Sequence, residues 1–202
     1  MKRILKVFSF ILFLLFLSGK CLRAEFGIGV GTTLSFVGER SEIYNGSTLV
    51  VAKAGLFYSF PIAKALSLRP GIYLAFKGGR YYDSNQRAYD RVSLNYIEIP
   101  VLFCLGILDE KLEFSVGPYV GFLVSNTENN DEHRWTWREN EIRDTDIGVS
   151  IGAGYHLMKW LFIEIQFNNG LTKVVYDPNP VAQSYSKGHK NRTLSLLAVL
   201  NF

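Results

Sequence analysis

Long apolar runs are missing from this 202-residue sequence, and so, nearly, are cysteine and histidine, with two and three of each. A helix that crosses a bilayer needs roughly 20 apolar residues. The longest such stretch, Val7 to Leu17 with Ser9 inside it, is far shorter, so the chain is not expected to cross a membrane as helices. Of the two cysteines, Cys21 lies in the N-terminal segment and Cys104 in the body. A body with one cysteine forms no internal disulfide, and its stability must come from hydrogen bonding and packing.

The scarcity of histidine weighs against catalysis. A Ser–His–acid unit needs its members within hydrogen-bond reach. His156 lies beside a tight connection, at the opposite end of the expected fold from His133 and His189, and no motif surrounds any of them. Asp131, Glu132 and His133 are adjacent but follow no zinc or EF-hand spacing. No enzyme, metal or cofactor is expected.

The N-terminus carries Lys2, Arg3 and Lys6, then the apolar run, then small and polar residues ending at Ala24. That order is a secretory signal peptide. Residues 1–24 are therefore expected to be removed after Leu22-Arg23-Ala24, leaving 25–202 as one domain. A cut around Gly19-Lys20-Cys21 is the alternative, but Lys20 does not suit a lipobox, so lipidation of Cys21 is not expected. Excess positive charge goes with the leader. It holds five of the 22 Lys and Arg and none of the 18 Asp and Glu, so the mature chain has 17 bases against 18 acids. A net charge of minus one gives no footprint for nucleic acid.

What is abundant is alternation. From Phe26 to Val37 one face reads Phe26, Ile28, Val30, Thr32, Leu34, Phe36, and the other Gly27, Gly29, Gly31, Thr33, Ser35. A period of two is a strand. Seven further stretches repeat it: 48–60, 66–77, 93–105, 112–125, 143–156, 160–171 and 191–202. Each is long enough for a tilted strand to cross the hydrocarbon layer, which takes about 9–11 residues. The connections alternate too. Residues 38–47, 78–92, 126–142 and 172–190 form long ones; residues 61–65, 106–111 and 157–159 form tight ones. Short turns at one end and long loops at the other are the habit of bacterial outer-membrane barrels with both termini in the periplasm.

One face of these stretches is apolar, with Leu56, Ile72, Ile99, Ile147, Ile165 and Leu196 among its members. The opposite face carries Lys53, Arg69, Lys77, Glu98, Glu113, Asp146, Glu164, Gln166 and Asn168 among many Gly, Ser and Tyr. A soluble sandwich or lipocalin-like barrel would exchange the faces and line its solvent side with charge. A polar face made mostly of small residues fits a narrow interior better, because small residues leave room for a few large ones. Tyr58, Phe60, Tyr155 and Phe202 at one end, with Phe36 and Phe76 at the other, suit interfacial aromatic girdles. The expected fold is all-β: an eight-stranded antiparallel transmembrane up-and-down β-barrel in the cell outer membrane.

The runs AKAGLFYSFPIAKALSLRPGIYLAFKG (52–78), LNYIEIPVLF (94–103), FSVGPYVGFLVS (114–125) and DIGVSIGAGYHL (146–157) resemble the PorT-type outer-membrane β-barrel family across the whole mature chain. The resemblance implies an eight-stranded barrel. It implies little about activity, since the namesake assists protein secretion and most relatives are porin-like barrels.

Three groups of residues are candidates for function. Counted from the tight turns, Arg69 and Glu164 stand at one height and Lys53 and Glu98 at another, so a charge network is expected across the interior. Isolated charges there would be costly. An eight-stranded barrel has room only for side chains, and a polar plug is favoured over an open pore, with a gate or proton path as the alternative. The third long loop concentrates His133, Arg134, Trp135, Trp137 and Arg138, the composition of binding hot spots. Its expected partners are outer-membrane lipid and lipopolysaccharide, or an extracellular or envelope protein. Phe202 closes an alternating last strand and resembles the signal read by the barrel-assembly machinery.

Overall fold

The structure is a computed structural model and describes residues 25–37, 48–83, 88–108, 111–129, 143–174 and 190–202. Eight strands follow in order: β1 (Glu25–Val37), β2 (Leu49–Ala63), β3 (Leu66–Asp83), β4 (Ala88–Ile107), β5 (Leu112–Asn129), β6 (Thr145–Met158), β7 (Leu161–Gly170) and β8 (Asn191–Asn201). Each pairs antiparallel with the next, and β8 pairs with β1 to close a barrel. The Phe202 N–H completes the seam by donating to the Phe26 carbonyl at 2.8 Å. Closure leaves no sheet edge, which matters where no water is at hand for unpaired backbone groups. The leader, residues 1–24, lies outside the described residues.

The alternation resolves as expected of a wall facing lipid. Val50, Ile72 and Leu196 point outward and are 66, 50 and 51% exposed, whereas Lys53 and Glu98 point inward at 2 and 1%. A soluble sandwich would show the reverse. The interior accommodates large rings because glycines on neighbouring strands face them. A side chain at Gly27 would collide with the Phe57 ring, at Gly154 with Phe162, and at Gly148 with Tyr119.

Three features depart from simple alternation. First, the expected long connection over 78–92 is mostly a hairpin, since β3 and β4 continue to pair from Gly78↔Ser93 to Asp83↔Ala88. The Gly78-Gly79 pair is a kink within a continuing strand. Gly78 has φ 151°, a conformation essentially confined to glycine, and its N–H donates to Ser35 Oγ at 2.9 Å. Second, β5 bulges: Asn95 pairs with Ser125 but Tyr96 with Leu123, so Val124 has no partner on β4. The extra residue turns Ser125 to the exposed side, where its Oγ accepts from Asn95 Nδ2 at 2.8 Å.

Third, prolines interrupt three successive ladders. Between β2 and β3 the pairing skips from Phe57↔Gly71 to Phe60↔Leu68, around Pro70. Between β3 and β4 it skips from Pro70↔Val101 to Tyr73↔Glu98, around Pro100. Between β4 and β5 it skips from Pro100↔Tyr119 to Phe103↔Val116, around Pro118. Proline has no N–H to give a ladder, and register is unchanged across each gap. The result is a contiguous seam of missing bonds at one height, confined to the β2–β5 side.

Candidate functional site

Inward side chains of all eight strands meet in a polar interior arranged in tiers. Nearest the tight turns, the Arg69 guanidinium on β3 donates to Glu113 Oε1 on β5 and to Glu164 Oε1 on β7, each at 2.8 Å. Ser115 Oγ adds a bond to the same Glu164 oxygen at 2.9 Å. The guanidinium carbon lies 5.2 Å from the Phe57 ring centroid and 5.8 Å from that of Phe162, whose ring also packs on His156.

In the middle tier Lys53 Nζ on β2 reaches Glu98 Oε1 on β4 at 2.6 Å and Gln166 Oε1 on β7 at 2.7 Å. Asn168 Nδ2 donates to the same Glu98 oxygen at 2.9 Å, and its own carbonyl accepts from Ser150 Oγ at 2.7 Å. Glu98 is shared upward: its Oε2 lies 2.8 Å from Lys77 Nζ. Lys77 then donates to Asp146 Oδ2 at 3.0 Å, which also accepts from Asn191 Nδ2 at 3.0 Å and Tyr119 Oη at 3.3 Å.

Each of these three cations rests against aromatic faces as well as carboxylates. Lys53 Nζ is 4.9 Å from the Tyr73 centroid, and Lys77 Nζ is 4.7 Å from Tyr119 and 5.2 Å from Tyr96. A cation over a ring gains about 0.5–2 kcal/mol, more when water is excluded. The arrangement neutralises buried charge by short contacts on every side, which is the condition under which buried ions are tolerated.

The sequence-derived pairs thus lie together: Lys53 with Glu98, and Arg69 with Glu164. Height counting did not find that Glu113 shares Arg69, or that Lys77 and Asp146 extend the middle tier outward. All three had been placed on the polar face, and their counts of residues from the turns were the usable signal. The loop residues His133, Arg134, Trp135, Trp137 and Arg138 lie outside the described residues, as does His189. Phe202 is 72% exposed, with its ring 6.4 Å from that of Phe26.

A closed barrel with aliphatics outside and ions inside narrows the kinship, and a family model described as the outer membrane protein beta-barrel domain matches residues 18–176. The chain belongs to that family. It is an outer-membrane protein. Its fold is similar to two solved barrels. One is Ail, the attachment invasion locus protein of Yersinia pestis, in complex with the heparin analogue sucrose octasulfate; identity is 14%, coverage 90% of this chain and 100% of that one, and the TM-score 0.50. The other is Neisserial surface protein A, at 10% identity, 87% and 95% coverage, and a TM-score of 0.51. No curated protein matches the sequence. Identities this low establish shared fold alone. Outer-membrane barrels have short periplasmic turns, and tight turns of this barrel lie at Lys64-Ala65 and Lys159-Trp160.

Proposed function

We propose that this protein is a surface-interaction barrel whose interior is closed to solutes and whose long outer loops make the contacts. The observation that carries the reading is the charge network: Lys53, Arg69, Lys77, Glu98, Asp146 and Glu164 are all buried and paired. An open aqueous channel would leave such groups hydrated. With the interior engaged in its own ion pairs, recognition falls to the loops, and the Trp and Arg content of residues 133–138 supports binding there. Contacts with lipopolysaccharide, with an extracellular or envelope protein and, during insertion, with the barrel-assembly machinery belong to this reading. Ail shows that a barrel of similar fold can be an attachment protein.

The second reading is a transport or secretion accessory of the PorT type, favoured by the YIEIP, GPYVGFL and GAG strands. Two measurements separate the readings. Purified protein in planar bilayers should give no large stable conductance; a stable open channel would favour transport. Deleting residues 128–141 should abolish capture of surface partners while leaving export intact. Unchanged capture with impaired secretion would favour the accessory role.

A further inference from the structure

We infer that the barrel wall carries a two-state gate between β2 and β3, hinged at Gly78 and latched by Ser35, whose release opens the Lys77–Asp146 tier to solvent at the end with the long connections. The gate concerns the rim alone and holds whether or not the loops bind a partner.

The wall splits at this point. Pairing of β2 with β3 ends at Lys53↔Ala75, although β2 stays paired to β1 as far as Ser35↔Leu49 and β3 to β4 as far as Asp83↔Ala88. Residues 49–52 of β2 and 76–79 of β3, all of them described, thus run on without a ladder between them. Continuing the register would set Ala52 opposite Phe76 and Val50 opposite Gly78.

Along an antiparallel strand, alternate residues bond to the same neighbour. Pro70, whose missing N–H interrupts the β2–β3 ladder, and Gly78 share one parity on β3, so the Gly78 N–H belongs to that ladder as well. It does not pair with Val50. It donates instead to Ser35 Oγ on β1, at 2.9 Å. Ser35 is fully buried and has the inward parity of Thr33, so β3 has stepped inward past the edge of β2 to reach it. Gly78 takes φ 151° at the step, and Gly78 and Gly79 are both buried. Lys77 and Leu94, which pair with each other beside the step, are sealed from solvent.

Two arrangements therefore compete for one donor. In the latched form Ser35 holds the Gly78 N–H, the edge of β2 stays unpaired and the step closes over the Lys77–Asp146 tier. In the released form the Val50 carbonyl takes the same N–H, the ladder zips to the rim, and the step withdraws into the wall. Glycine at the hinge permits both, because it accepts φ 151° and extended backbone alike.

The test uses the full barrel in micelles. One readout is deuterium exchange at the Val50 and Ala52 amides, which face β3; the other is labelling by a polar maleimide of Leu94→Cys in a Cys104→Ser background. With Ser35 intact, Val50 and Ala52 should exchange faster than Val51 and Lys53, which face β1, and the reporter should label slowly. Ser35→Ala should raise labelling about fivefold and slow exchange at Val50 and Ala52. Gly78→Ala, which disfavours the step, should act in the same direction by about tenfold. Exchange is measured without the cysteine substitutions, so it reads the gate even where the reporter variant fails to fold. Unchanged exchange and labelling in both variants, faster labelling with Val50 and Ala52 still exchanging freely, or protection of Val50 while Ser35 is intact would each overturn the proposal.

Discussion

Glu98 concentrates the electrostatics of the barrel in one carboxylate. One oxygen faces Lys53 and Asn168, the other Lys77. Removing its charge leaves two buried ammonium groups with less compensation than they had. Breaking a buried pair from one side costs about 3–5 kcal/mol. Glu98→Gln should therefore destabilise the folded barrel by about that amount, seen as a lower urea midpoint for detergent-refolded protein. A midpoint unchanged from wild type would show that water or rearrangement compensates the lysines. The Lys53–Glu98 and Arg69–Glu164 partnerships were legible in sequence because each residue's height follows from its distance to a tight turn. Lys77 and Asp146 were harder to join. Lys77 ends the third alternating stretch next to a segment expected to be a loop, and Asp146 lies far from its own turn.

At the scale of elements, the eight strands and their facing were readable because the bilayer demands an uninterrupted apolar side and a fixed minimum length. Their ends were not. The hairpin at Gly78–Asp83 and Ala88–Val92 continues in unbroken register through a glycine pair, and a period-two pattern by itself carries no information on which residues pair. The β5 bulge escaped for the same reason. Pro70, Pro100 and Pro118 were visible as residues, but their common height emerges only from the register of four strands. Missing ladder bonds lower the local cost of opening. In micelles, amides flanking the seam, such as Ile72, Ile99 and Leu102, should exchange with deuterium faster than those of Ile163 to Phe167, where β7 and β8 pair without a gap. Uniform protection around the circumference would mean that close strand approach alone, as at Gly117 against the Val101 carbonyl, holds the seam shut.

For the molecule as a whole, closure rests on the β1–β8 ladder more than on the terminal ring. Eleven residue pairs join the two strands from Gly27↔Asn201 to Val37↔Asn191. Phe202 adds one backbone bond and a mostly exposed ring. Deleting Phe202 should accordingly lower insertion in cells by more than it shifts the unfolding of protein refolded in detergent. Equal effects in the two assays would remove the targeting role and leave a structural one.

Sequence by itself determined the class of fold, the side that meets lipid and the identity of the inward ions, because the bilayer imposes period, length and polarity locally on every strand. Which carboxylate holds which cation and where the ladder is broken were decided by tertiary structure alone. Those are relations between strands distant in the chain, and they are set by register and closure, quantities that no single strand carries.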